Sequence, residues 1–316
     1  MSIGPTPVSL RSPRTITALV LLIGLALLPA IAGTTGHLFY VTVATRILVF
    51  ALAASSLNLA LGYGGMVSFG HALYLGLGAY VVGVSVYFGM TSGWAHLLIV
   101  IMLCGTVAYV TGLICLRTSG IGFIMITLAF AQMFYFLFVS LKQFGGDDGL
   151  PIPTRSDFSP LSIRTNIGLY YFTLTLLLAV LYLSWRFAHA RFGSVLLGIK
   201  SNARRMRMLG FPVLRYQVAA YVISGCLCGV AGLLLANLTR FTSPAYMSWN
   251  VSGDLIVIVM LGGIGTVLGP LIGATVFLIL ETMLSGYSQH WMLGLGVIIV
   301  LIALLAKRGL YGALVR

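Results

Sequence analysis

The chain has 316 residues, of which 59% are hydrophobic and 7% charged, and its formal net charge is +13. Soluble domains are about 25% charged, so these side chains cannot cover a water-facing surface, and a soluble globular protein is excluded. Nucleic acid is not the partner the charge implies: seven of the 18 Lys and Arg fall between Arg186 and Arg215 and others flank apolar runs, a placement that reports membrane orientation.

The opening MSIGPTPVSLRSPRT is polar and basic, and residues 1–15 read as a cytoplasmic N-terminal segment ahead of a transmembrane domain filling 16–316. Residues 16–32 are apolar and end in Ala30-Ile31-Ala32, which has the A-x-A form of a signal-peptidase site. Because further spans follow, we read 16–32 as an uncleaved first span.

Apolar runs then recur at 38–61, 66–88, 94–116, 120–141, 167–187, 216–238 and 289–306, each near the length of about 20 residues that crosses a bilayer. Residues 252–284 form a longer apolar block. Its stretch LGGIGTVLGP, 261–270, breaks the helical pattern with glycines and Pro270, so the block is expected to be a re-entrant pair or two short crossings. Such backbone is tolerated at membrane depth only when buried in protein or lining a watery cavity. The expected fold class is all-α: a polytopic integral membrane protein of about 8–10 transmembrane helices with glycine-broken or re-entrant segments.

Charges set the topology. Loop 142–166 balances Lys142, Arg155 and Arg164 against Asp147, Asp148 and Asp157 and reads as external. Loop 188–215 carries only basic charge and reads as cytoplasmic. Both termini then fall inside, with Lys307, Arg308 and Arg316 at the C-terminal end.

The run LNLALGYGGMVSFGHALYLGLGAY, residues 57–80, spends many glycines where leucine would make a better helix. Small residues recur every four positions at Ser68, Ala72 and Gly76, at Ser224, Cys228, Gly232 and Ala236, and at Gly265, Gly269 and Gly273, as expected where helix backbones touch in lipid. Asn58, Ser68, His71, Thr127 and Gln132 need polar partners in hydrocarbon; Thr127 and Gln132, five apart, do not share a face. With Gly64, Gly65 and Gly263, these residues are candidates for helix packing or for the wall of a translocation route. LGYGGMVSFG and LGGIGTVLG are weakly alike, as internal repeats of transporters are.

Chemistry-bearing motifs are missing. There is no P-loop, no H-E-x-x-H and no G-x-S-x-G, and Gly263, Gly265 and Gly269 miss the dinucleotide spacing by one. Cys104, Cys115, Cys226 and Cys228 lie in apolar spans and suggest neither disulfide nor metal. Asp254, just after Ser252-Gly253, is expected to cap a helix start. With no intramembrane carboxylate placed for proton coupling, energy is expected from a partner, and the chain reads as no enzyme.

In loop 188–215, Val195, Ile199, Ala203 and Met206 form an apolar stripe at helical spacing, and Lys200, Arg204 and Arg207 a basic one; Gly210 and Pro212 stop the helix. This is either an interfacial helix on anionic lipid or a docking helix for a cytoplasmic partner.

LNLALGYGGMVSFGHALYLGLGAYVVG, ITLAFAQMFYFLFVSLKQFGGDDGLP, the 191–216 loop and MLGGIGTVLGPLIGA, in this order, resemble the branched-chain amino-acid ABC transporter permeases of the LivM type. The likeness runs from about residue 40 to the end. It implies a subunit of a bacterial plasma-membrane importer that works with a second homologous permease, two cytoplasmic ABC ATPases and an extracytoplasmic solute-binding protein. ATP and Mg²⁺ would sit on the ATPases, with no cofactor in this chain. The cargo implied is a branched-chain or other neutral amino acid; urea, short amides or small carboxylates suit the same machinery, and a self-sufficient channel or secondary carrier is the rival class. The coupling helix implied by the resemblance spans about Gly193–Gly210 and includes Val195, Ile199, Lys200, Ala203, Arg204, Arg205, Met206 and Leu209. Aligning Gly210 with the glycine of the importers' E-A-A-x-x-x-G pattern puts Arg204, Arg205 and Met206 at the E-A-A positions. That departure withholds the usual ATPase salt bridges.

Overall fold

The computed structural model describes residues 24–25, 29, 38–159, 163–287, 290–305 and 309–314. The N-terminal segment 1–15, most of the expected span 16–32, and Lys307, Arg308 and Arg316 lie outside them.

Eleven helices carry the described chain: α1 Leu38–Asn58, α2 His71–Tyr87, α3 Gly93–Cys115, α4 Ile121–Ser140, α5 Asn166–His189, α6 Arg191–Met208, α7 Val213–Thr239, α8 Trp249–Gly262, α9 Gly269–Tyr287, α10 Trp291–Leu305 and α11 Gly309–Leu314. Six are long and apolar enough to cross a membrane: α1 with its extension to Tyr63, α3, α4, α5, α7 and α9. The shorter α2, α8 and α10 are also apolar. Helices are required because lipid offers backbone amides no water to bond. The chain is an all-α polytopic membrane protein.

The 252–284 block is a helical hairpin, α8 and α9, turned at 263–268. Fourteen residues give α8 a length of about 21 Å, short of the hydrocarbon thickness. Its first residues, Trp249 and Asn250, are exposed, while the preceding turn Pro244–Met247 buries Met247 against α2. Asp254 therefore caps nothing: α8 begins at Trp249 after Ser248, so Asp254 lies more than a turn inside.

Two expected small-residue rows are also corrected. Ser68 precedes α2 and Gly265 precedes α9, so neither shares a helical face with the residues that follow it; the irregular stretches 64–70 and 263–268 intervene. The α7 row holds, with Ser224, Cys228, Gly232 and Ala236 all buried.

Helices α1 and α7 are the most buried of the long helices, and α7 is the centre of the bundle, packing on α1, α2 and α3. It crosses α2 almost backbone to backbone. A Cβ on Gly232 would collide with the Leu75 carbonyl, and one on Gly78 with the Gly229 carbonyl. Gly225 and Gly229 meet Ala108 and Cys104 of α3 in the same way. Cys226 and Cys228 diverge as expected, toward the carbonyls of Ile101 and His71, and all four cysteines are free.

The loop between α4 and α5 is sewn to the α7 end. Its strand β1, Leu150–Pro151, pairs antiparallel with β2, Phe241–Thr242. Arg155 donates to the carbonyls of Asn237, Ile163 and Arg164 and to Oδ1 of Asn166. Burial, and then the Arg240 guanidinium nearby, lower its pKa from the ordinary arginine value. Asn237 also accepts the Ser156 amide at 2.8 Å, and His96 bonds the Ser156 hydroxyl at 2.9 Å. At the opposite end lie α6 and both glycine breaks.

Candidate functional site

The first break starts where α1 runs into a π-helical turn, Leu59–Tyr63, and ends where α2 begins at His71. The second separates α8 from α9. Offset by 200 positions, Leu61 and Leu261, Gly62 and Gly262, Gly65 and Gly265, and Val67 and Val267 correspond. Gly65 and Gly265 both take left-handed backbone, φ 68° and 78°, which costs a non-glycine residue about 1–2 kcal/mol. The weak likeness of the two segments thus has a shared backbone geometry at its centre.

The two breaks clasp each other through Asn58. Its Oδ1 accepts the Gly265 amide at 2.9 Å and its Nδ2 donates to the Thr266 carbonyl at 2.8 Å. The side chain is 3% exposed, so both bonds replace water. Gly62 makes the approach feasible, because a Cβ there would strike Asn58 Oδ1 and stand 2.7 Å from the Gly265 nitrogen. Thr266 Oγ1 donates to the Gly263 carbonyl at 2.7 Å, and α11 presses on the same turn, Gly309 against Gly263. Gly269 and Gly273 serve the hairpin itself: Cβ atoms there would strike Thr266 and the Ile258 carbonyl.

Helix α6 grips the first break. A helix end leaves carbonyls without amide partners, and at this one the Met66 amide reaches back to Ala60. Lys200 fills a gap by donating from Nζ to the Gly62 carbonyl at 2.7 Å. Its stem lies over Gly65, where a Cβ would come 2.9 Å from Lys200 Cγ. Gly64 is buried beneath and Gly65 exposed.

The expected continuous stripe on α6 is corrected. Asn202 is extended, φ −161° and ψ 95°, and divides α6 into two legs. Its Oδ1 accepts the Arg205 amide at 2.9 Å, as a residue opening a new helical turn does. The second leg folds back, so a Cβ on Gly198 would be 2.9 Å from Met206 Sδ. Gly193 and Ile199 are buried, and Val195, Ala203 and Met206 pack partly buried on the protein's own core. Residues exposed along α6 include, besides Lys200 and Arg207, Leu197, Ser201, Arg204, Arg205 and Met208, with Leu209 just after it. Gly210, φ 85°, ends the element as expected.

The start of α2 after the first break is held by side chains from three other helices. Thr127 Oγ1 of α4 accepts the Phe69 amide at 3.2 Å, and Ser252 Oγ of α8 accepts the Ala72 amide at 3.0 Å. Ser68 Oγ accepts the Gly70 amide and lies 3.3 Å from the Tyr221 hydroxyl of α7. Ser224 Oγ donates to the Ser56 carbonyl, so it accepts from His71 Nε2, 2.7 Å away. His71 is thereby the Nε2–H tautomer, packed edge-on against Tyr74 and Tyr221; its Nδ1 is buried without a hydrogen bond among the described residues. Gln132 is half-buried on another face of α4 from Thr127, as its spacing requires, and joins none of this.

Tyr74 and Thr111, whose hydroxyls lie 2.8 Å apart, and Tyr221, Ser224 and Ser252 were not singled out as polar partners from the sequence; hydroxyls inside apolar runs were the available signal. Arg46 and Glu281 also escaped notice as a pair. They meet at 2.9 Å between α1 and α9, with the Arg46 guanidinium 5.6 Å from the centre of the Phe50 ring. Among the described residues, no group of three or more His, Cys, Asp or Glu is placed to hold a metal ion.

The assembly is a surface helix holding one glycine turn, which holds a second. Residues 39–305 match the family described as the permease component of branched-chain amino acid transport systems. The chain is 24% identical to the high-affinity branched-chain amino acid transport system permease protein LivM of Escherichia coli, over 85% of this chain and 69% of that one. It is 24% identical to LivH of the same system, over 75% and 82%. The fructose import permease protein FruG of Bifidobacterium longum is 24% identical over 49% of this chain and 51% of its own length. No solved structure matches. The chain belongs to the family of permease components of branched-chain amino acid transport systems.

Proposed function

We propose that this chain is one transmembrane half of a binding-protein-dependent ABC importer for branched-chain or other neutral amino acids. It pairs with a second homologous permease, as the likeness to both LivM and LivH suggests. Two cytoplasmic ATPases bind and hydrolyse ATP with Mg²⁺, and an extracytoplasmic binding protein delivers the solute. In this reading α6 faces the cytoplasm with its basic loop, both chain ends are cytoplasmic, and the stitched 142–165 loop faces outward.

The observation that carries the reading is the contact of α6 with the first break. A push on α6 moves Lys200, and Lys200 is bonded to Gly62. Gly62 lies against Asn58 and Gly265, so the second break must follow. Movement of α6 is thereby delivered to the ends of α1, α2, α8 and α9 together, where alternating access needs it. The ATPase would dock on the exposed Leu197, Arg204, Arg205, Met208 and Leu209 rather than on the stripe that packs inward. Small, mostly neutral walls suit an apolar zwitterion, since the binding protein supplies selectivity.

The test is reconstitution. Purified in mild detergent, the wild type should bring down a second permease and an ATPase pair. In vesicles with the binding protein, leucine uptake should need ATP on the ATPase side. Lys200→Met should leave the complex assembled and its ATPase active while uptake per ATP falls. Failure to recover any ATPase refutes the importer reading.

A further inference from the structure

Beside α6, at the same end of the bundle, three arginines from three elements converge without partners. Arg117 follows α3, Arg207 belongs to the second leg of α6, and Arg215 lies in the first turn of α7; with Leu116, Phe211 and Leu214 they line a cleft of about 520 Å³. None of the three side chains makes a hydrogen bond or ion pair among the described residues. The two ion pairs found there are Arg46–Glu281 and Arg164–Asp157.

Three cations around one cleft repel one another, and Arg215 has a second cost. A positive charge in the first turn of a helix opposes the helix dipole, whose amino end favours anions. A phosphate in the cleft removes both costs and accepts the guanidinium forks in paired hydrogen bonds.

The face of α3 that leads down from Arg117, outside the cleft itself, indicates the source of that phosphate. Leu103, Val110 and Ile114 of α3 recur at helical spacing beneath Arg117, and all three are exposed. An apolar stripe that ends at a guanidinium, on the outer side of a membrane helix, matches a phospholipid: acyl chain along the stripe, headgroup phosphate in the cleft. A soluble anion would have no use for the stripe.

We infer that the cleft between Arg117, Arg207 and Arg215 is a binding site for the phosphate of an anionic phospholipid, whose acyl chain lies along Leu103, Val110 and Ile114. Lipid of the anionic leaflet thereby braces the turn between α6 and α7 from outside, independently of what α6 carries. The inference needs only that the chain is a membrane protein, so it stands or falls separately from the importer reading.

The experiment is native mass spectrometry of the full-length chain in detergent with equal phosphatidylglycerol and phosphatidylcholine. Wild type should retain phosphatidylglycerol preferentially. A surface cation contributes about fivefold, so R117Q/R215Q should lower that preference about 30-fold while still folding with wild-type helix content, and R117K/R215K should recover most of it. Phosphatidylglycerol carrying a photoreactive group in its acyl chain should label residues 103–114. An unchanged preference in R117Q/R215Q overturns the site, as does labelling confined to other helices. Displacement of the lipid by millimolar inorganic phosphate would identify a free-anion site instead and overturn the lipid assignment. Expulsion of the lipid on assembly with the ATPases would assign the cleft to protein docking and overturn it too.

Discussion

Replacing Asn58 with leucine removes the clasp between the two glycine turns while keeping the branched outline of the side chain. Asn58 is 3% exposed and bonds the Gly265 amide at 2.9 Å and the Thr266 carbonyl at 2.8 Å. Leucine supplies neither partner, and an orphaned buried donor or acceptor costs about 1–3 kcal/mol. The Gly265 amide is protected only while its turn stays against Asn58, so that loss converts to hydrogen exchange about 5- to 150-fold faster at this amide. Exchange mass spectrometry on a peptide covering 260–268 reads it, with 225–236 of the central helix α7 as the internal reference. Exchange in 260–268 at the wild-type rate, with Asn58→Leu folded, would refute the clasp. Acceleration of both peptides alike would mean global loosening, which contradicts a local joint between turns.

Gly232→Leu should destabilise by about 1–3 kcal/mol or more, because the new side chain meets the Leu75 carbonyl at the α2–α7 crossing; Gly253→Leu, with open space around its Cα, should melt close to wild type. Equal melting of the two variants contradicts backbone contact at that crossing. Gly65→Ala and Gly265→Ala each force a left-handed alanine and should cost about 1–2 kcal/mol, read as a lower melting temperature in detergent. Arg155→Gln should detach the α4–α5 loop, seen as faster proteolysis within 141–165 while α7 stays protected; unchanged cleavage would show that β1–β2 pairing and the Ser156 bonds hold the loop without Arg155. Arg204→Glu with Arg205→Glu, both exposed on α6, should weaken ATPase co-purification more than Ile199→Val, which lies in the core.

Membrane class, most helix positions and the break at 261–270 were legible because they depend on local chemistry, whereas the first break, 64–70, fell inside a stretch read as the helical span 66–88. Apolar length fixes a span, and clustered glycines with Pro270 fix a break. What escaped depends on relations between distant positions. Gly265 was read as a member of a small-residue row and Gly65 only as a packing or pathway candidate, yet each sits in a left-handed turn that a row cannot express. Asn58 was known to need a partner, but its partners are backbone atoms 207 and 208 positions away, and backbone leaves no trace in composition. The α6 stripe was regular in sequence, and one extended residue, Asn202, turned its second leg back on the first. Lys200 read as one cation among several because its acceptor is the Gly62 carbonyl, which exists only once the helix ahead of it has frayed.

The central claim is that this chain transmits motion generated by separate ATPases and has no energy source of its own. The direct measurement is leucine accumulation in proteoliposomes containing the chain alone, without nucleotide, beside vesicles holding the chain with its second permease, ATPases and binding protein. The account predicts uphill accumulation only in the second set and only with ATP. Accumulation against a gradient by the chain alone would contradict it.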